Sequence, residues 1–256
     1  MNSNNPFDNF GIEHLSASSI NTYIADPCMF IMRYLYKNKG IGNPAMWRGT
    51  VVDESIGEVL TNNIDEKTVI KSAIKRFDGL YSHYKKEHEI DFNKFSKERS
   101  LLESYLNTAI PYFKGMGIPS NYQKEIKLQL DEIPIPIIGY IDLQFDGVVR
   151  DIKTTGRMPT TIPDSVNRQL SIYATVEQSD AYADYILATP KKTEIKSMQV
   201  ENIDEHMKVV KDASVTIMNL LSYSNDINQI AKLFYPNFDS WMWSKDDIEF
   251  GKTIWS

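Results

Sequence analysis

The chain has 256 residues, 42% of them hydrophobic and 24% charged, with a formal net charge of -6 at pH 7. That size and apolar share allow one sizeable core, or a core with a helical annex. The acidic balance argues against wholesale nonspecific nucleic-acid binding, although a local basic groove remains compatible with it.

Cys28 is the single cysteine. A disulfide framework and a CxxC zinc motif are therefore excluded, and a reducing, cytoplasmic setting is expected. Residues 1–14 are polar and carry no apolar stretch of the kind a signal peptide needs, so a poorly ordered tail is expected there. No apolar run approaches the length that spans a bilayer, and no membrane partner is expected.

Residues 16–37 read as helix, with Ser16 or Ser18 as N-cap and Asp26-Pro27 as a break. A third helix covers about 45–61, and charged amphipathic helices follow at 65–88 and 96–114. These bring Lys71, Lys75, Arg76, Lys85, Lys86, Lys94, Lys97 and Arg99 into one region of sequence. EIKLQL at 125–130 alternates as a strand, with Glu125 on its polar face. Pro134 and Pro136 mark the start or edge of the next strand. Asp146-Gly147 is a two-residue hairpin signal, and 148–153 form the return strand. A helix from about 164 to 178, strands at 183–189 and in KKTEIKSMQV, and a helix over 203–222 complete the pattern before an aromatic tail. The fold class is α+β, with a small mixed β-sheet flanked by helices and an N-terminal helical part.

The hairpin GYIDLQFDGVVRDIKTTG poses a charge problem. With Asp146-Gly147 as the turn, Phe145 faces Val148 and Asp142 faces Asp151 across the strands. Like charges so placed are destabilising. Lys153 lies two residues on and shares their face, while Ile141 and Ile152 share the other. Glu125 on the preceding strand would join them. Hard oxygen ligands of this kind suit Mg²⁺ or Mn²⁺, which would neutralise the opposed acids. The same residues read alternatively as a solvated sheet face on which Lys153 bridges two acids.

At these residues the sequence resembles the PD-(D/E)XK nuclease superfamily, in its RecB-like exonuclease branch, over about 15–255. Asp142 matches the acid of the G-x-x-D motif. Asp151-Ile152-Lys153 matches D-x-K, which implies a second metal ligand, a liganding carbonyl at Ile152 and a catalytic lysine. Glu125 matches the glutamate of the preceding strand. Gln169 and Tyr173, four residues apart on one helix face, match Q-x-x-x-Y, which implies DNA contact beside the active site. The alternative for that pair is a tyrosine buried with Leu170 and Ile172. Relatives carry G-x-x-x-H near the third helix, and here Gly49 is followed by Asp53 in the histidine's place. Asp53 is thus either a fifth metal-ligating group, or an exposed helix acid or member of a local salt bridge.

The resemblance implies a restriction-endonuclease-like core in one nuclease domain over 15–256. Its helical part covers 15–118, its catalytic sheet 119–200 and its C-terminal helix and tail 201–256. It implies a Mg²⁺- or Mn²⁺-dependent deoxyribonuclease, commonly an exonuclease on single-stranded or end-containing DNA. Replication, recombination or repair proteins would be its partners. Many relatives hold an iron–sulfur cluster with one early and three late cysteines. The late segment here has none, so no cluster is expected, Cys28 is read as an inert buried thiol, and Trp241, Trp243, Phe250 and Trp255 are read as a packed clasp. Lys191, Lys192 and the basic helices are candidates for phosphate contact, with Trp47, Tyr81 and Tyr84 for base stacking. Likeness to virus-encoded relatives implies a phage origin. A non-catalytic DNA-end clamp on the same fold and a structure-specific endonuclease remain as rival readings.

Overall fold

A computed structural model describes residues 5–62 and 64–255. In chain order it contains α1 (Ala17–Ala25), α2 (Pro27–Phe30), α3 (Pro44–Asn62), α4 (Glu66–Tyr84), α5 (Phe92–Lys114), β1 (Asn121–Leu128), β2 (Ile137–Phe145) and β3 (Val148–Thr155). Then follow α6 (Asp164–Glu177), β4 (Ala181–Thr189), β5 (Lys192–Gln199), α7 (Ile203–Ser222), α8 (Ile227–Ala231) and α9 (Lys245–Ile254). The five strands lie in the order β1-β2-β3-β4-β5. Two compact units interleave in sequence, where the sequence reading had one domain in three successive parts. One comprises Met1–Gly40, Ile126–Gly139 and Asn202–Ser256, the other Ile41–Glu125 and Tyr140–Glu201.

In the first unit the break at Asp26-Pro27 is a double cap. Asp26 Oδ1 accepts from the backbone N–H of Cys28 and Met29, and Pro27 occupies the first turn of α2. Asp26 Oδ2 accepts from Trp243 Nε1 at 2.7 Å. Around that bond Cys28, Met29, Met32 and Trp243 pack with Phe238, Phe250 and Trp255. The aromatic clasp therefore exists, with one correction: Trp241 is 93% exposed and takes no part in the buried cluster. Burial, reinforced by Asp26, pushes the Cys28 thiol up to about 12, so it stays protonated at neutral pH. A second correction concerns the tail. Residues 5–15 are packed, because Phe7, Phe10, Ile12 and Leu15 supply apolar anchors that a polar composition hides. Leu15 also bridges to Ile137 through Leu15 N to Pro136 O at 3.0 Å and Ile138 N to Leu15 O at 2.8 Å. Residues 1–4 of the expected tail lie outside the described residues.

In the second unit α3, α4 and α5 bury Val52, Ile56, Phe77, Leu102, Tyr105 and Phe113 together with Leu143, Phe145, Ile152, Ile186 and Ala188 of the sheet. Trp47 and Tyr84 stack on each other, and Tyr81 stacks on Phe95, within or against this core. Trp47 is buried and is not a base-stacking platform. Several basic side chains expected to meet phosphates are already paired: Arg76 with Glu58, Arg99 with Asp78 and Lys94 with Asp91.

The β2–β3 hairpin has the register read from the sequence: Phe145 faces Val148, Gln144 faces Val149 and Leu143 faces Arg150. Asp146 (φ 48°) and Gly147 (φ 85°) both have left-handed backbone, as a two-residue turn that matches strand twist requires. β3 runs parallel to β4, and α6 forms the crossover and packs on both strands. β4 and β5 pair antiparallel, so the sheet is mixed. Among the described residues no helix is long and apolar enough to cross a membrane.

Candidate active site

Strand alternation divides β3 and β4 between two faces. Ile152 and Ile186 join the helical core, so Asp151, Lys153 and Tyr185 stand on the other face, toward α6. The paired register runs from Phe145–Val148 to Leu143–Arg150, and Asp142 follows directly beyond it. Asp142 Oδ2 accepts from Ile152 N at 2.7 Å. Asp151 is 1% exposed, and Lys153 Nζ lies 2.6 Å from its Oδ2. That contact is a close, buried ion pair.

Gln169 on α6 joins the group through both ends of its amide. Its carbonyl accepts from Lys153 Nζ at 3.2 Å, while its NH₂ donates to Asp151 Oδ1 at 3.1 Å and to Tyr173 Oη at 3.0 Å. One planar amide therefore fixes the lysine, an acid and a phenol together. The Q-x-x-x-Y spacing puts both side chains on the face of α6 that meets β3. Tyr173 is buried, and burial followed by the Asp151 charge raises its hydroxyl to about 12.

Asp53, from α3, is electrostatically part of this group. Its carboxyl is raised to about 7, first by burial, then by Asp151 and Glu54, against the pull of Lys153 and Gln123. Asp53 Oδ2 accepts from Gln123 Nε2 at 2.7 Å, but Oδ1 is buried with no partner. Asp142 is pushed well above the usual carboxylate range by burial, then by Asp151 and Asp53. Burial would depress Lys153, yet Asp151 and Asp142 outweigh it and hold the ammonium charged. Three acids thus meet one lysine.

Glu125 is not brought to this group. It is exposed and accepts from Tyr140 Oη at 2.9 Å, and it is not among the charges that shift Asp53 or Asp142. β1 starts at Asn121 and has left-handed backbone at Gln123 (φ 50°). From Glu125 onward the alternation holds, with Ile126 buried and Glu125 and Lys127 exposed, but the side chain of Glu125 meets Tyr140 rather than the acids. Gln123 reaches Asp53 instead. Tyr122 next to it packs on Gly57, where an added Cβ would lie 2.1 Å from the ring, so only glycine in α3 admits this approach.

Two further residues went unread in the sequence. Gln123 sits in a stretch with no strand signal of its own. Tyr185 is the β4 partner of Lys153 in the parallel pair, which only the crossover register discloses.

The chemistry of the donor set fits a divalent cation. Acids crowded so closely that their ionisation is suppressed, and an unpartnered Asp53 oxygen, are what such an ion would relieve. Among the described residues no three His, Cys, Asp or Glu side chains form a ready-made metal cage. Mg²⁺ does not require one, since it keeps several waters and takes one or two carboxylates plus substrate phosphate.

A family model described as "PD-(D/E)XK nuclease superfamily" matches residues 14–234. A solved structure titled "Crystal structure of SSO0001" is 18% identical, with 74% of this chain and 92% of that chain covered and a TM-score of 0.36. No curated protein matches the chain.

Proposed function

The chain belongs to the PD-(D/E)XK nuclease superfamily, and from that premise we propose that it is a Mg²⁺- or Mn²⁺-dependent exonuclease acting on single-stranded or end-bearing DNA. The observation that carries the reading is the convergence of Asp142, Asp151 and Lys153 on one sheet face, with Gln169 tying the last two together. The order G-x-x-D, D-x-K, Q-x-x-x-Y supports the RecB-like branch, in which exonuclease action prevails.

Asp142, Asp151 and the Ile152 carbonyl would hold the ion, with Asp53 as a further acid. Once bound, the ion would polarise the phosphodiester and acidify a coordinated water. The protein's own contribution is positional. The Ile152 N–H fixes one oxygen of Asp142, leaving the other free to ligate. Gln169 fixes Asp151 and Lys153 relative to each other. Lys153, charged throughout the physiological range, stabilises negative charge gathering on a phosphate oxygen. Glu125 is given no role in this reading.

The test is cleavage of end-labelled linear single-stranded DNA with Mg²⁺, Mn²⁺ or EDTA, beside Lys153→Ala and a circular substrate. Metal-dependent loss of linear DNA alone, abolished in Lys153→Ala, is the expected result. Cutting of the circle would replace the exonuclease by an endonuclease. DNA binding without cleavage under either metal would replace the enzyme by an end-binding scaffold.

A further inference from the structure

Tyr185 is the buried polar group beside the site that none of the roles above uses. It is the Cα partner of Lys153 in the parallel β3–β4 pair, so both side chains leave the same sheet face side by side. The residue is 5% exposed, and its hydroxyl is buried with no hydrogen-bond partner. Leaving such a group unsatisfied is costly, and beside a catalytic group it calls for a functional reason. Burial raises the hydroxyl to about 12, so it stays a neutral phenol with free lone pairs.

Lys153 has a matching need. Its ammonium has three donors; it reaches Gln169 Oε1 and otherwise leans on Asp151 Oδ2. A divalent cation on Asp151 repels that ammonium and competes for the same carboxylate. Lys153 then requires another acceptor on the same face, close enough to keep it in the site. We propose that Tyr185 is a positioning residue for Lys153: its hydroxyl accepts the ammonium when a divalent cation takes up Asp142 and Asp151. The inference rests on the metal-dependent reading above and goes beyond it by naming what holds the lysine in the loaded site.

The experiment is a double-mutant cycle on Mn²⁺ binding, measured by titration calorimetry on the full chain. It uses wild type, Tyr185→Phe, Lys153→Ala and the double variant. Tyr185→Phe keeps the ring and removes an unpartnered buried oxygen, so its melting temperature in EDTA should equal or exceed that of wild type. It should weaken Mn²⁺ about fivefold, the effect of one lost hydrogen bond. In the Lys153→Ala background the same change should alter Mn²⁺ affinity less than about twofold. In DNA cleavage Tyr185→Phe should lower kcat with KM unchanged. Equal Mn²⁺ affinity for Tyr185→Phe and wild type overturns the proposal, as does an equal loss in both backgrounds or no Mn²⁺ binding by wild type. Wild type that binds Mn²⁺ but leaves DNA intact refutes the nuclease reading alone, and the cycle still decides the role of Tyr185.

Discussion

On one face of β3 and β4, Arg150 and Asp184 make a buried ion pair; on the other, one residue along, Asp151 and Lys153 make a second. The two differ in what is left over. Asp184 is fully buried and accepts from Arg150 through both oxygens and from Tyr112 Oη at 3.1 Å. Arg150 also donates to Ser197 and lies over the Tyr182 ring at 4.7 Å. Every charge there has its complement. Across the sheet three acids share one lysine, and Asp53 Oδ1 and Tyr185 Oη have no partner. Burial of charge is common to both faces, so it does not mark function. What separates the second face is several acids crowded about one lysine together with unpartnered oxygens, a combination that an incoming cation would relieve.

The comparison breaks most easily at Arg150. Arg150→Ala leaves Asp184 buried and unpaired, and should lower the unfolding free energy by about 3–5 kcal/mol. Urea unfolding measures it, and any change in kcat should be confined to the loss of folded protein. Lys153→Ala should do the reverse in kind. It should lower kcat by about 10²–10³ in metal-dependent cleavage, the scale of a lost charge-stabilising donor. If Lys153→Ala cut normally while Arg150→Ala cut poorly at equal folded fraction, the assignment of the two faces would be inverted. Gln169→Leu sharpens the same contrast at smaller scale. It removes one acceptor from Lys153 and one donor from Asp151, and about a tenfold fall in kcat is expected in steady-state kinetics.

The two faces were not equally legible in the sequence. Asp142, Asp151 and Lys153 could be put together because Asp146-Gly147 fixes the hairpin register by local turn chemistry. Gln169 and Tyr173 could be put on one helix face by their spacing of four. The Arg150–Asp184 pair and Tyr185 could not be found that way. They depend on the β3–β4 register, set by a crossover through α6 whose length does not dictate strand offset. Glu125 does lie on the exposed side of its strand, as its alternation suggests, but alternation gives a face and not a position along the sheet, and its partner is Tyr140 rather than the acids. Trp47 and Trp241 show the limit of composition. Trp47 was read as a stacking platform from its aromatic character and Trp241 as part of the clasp from the family resemblance, yet Trp47 is 6% exposed in the core and Trp241 is 93% exposed outside the clasp.

Asp53 gives the smallest and most direct test, because its surplus charge acts on stability as well as chemistry. Its carboxyl is raised to about 7, so the folded protein holds that proton where the unfolded chain has released it. Between about pH 4 and pH 7 the folded state therefore binds more protons, and stability falls as pH rises. Asp142 is displaced in the same direction and adds to the slope. In thermal melts with EDTA, wild type should lose several degrees between about pH 5 and pH 8. Asp53→Asn deletes one contributor, so its melting temperature should fall less steeply and exceed that of wild type near pH 8. Mn²⁺ at that pH should raise wild type more than Asp53→Asn, because the ion relieves repulsion the variant no longer carries. A wild-type melting temperature that rises over this range in EDTA would mean that Asp53 is already compensated. Its unpartnered oxygen would then be no argument for a cation, and the two faces of the sheet would differ less than the contrast requires.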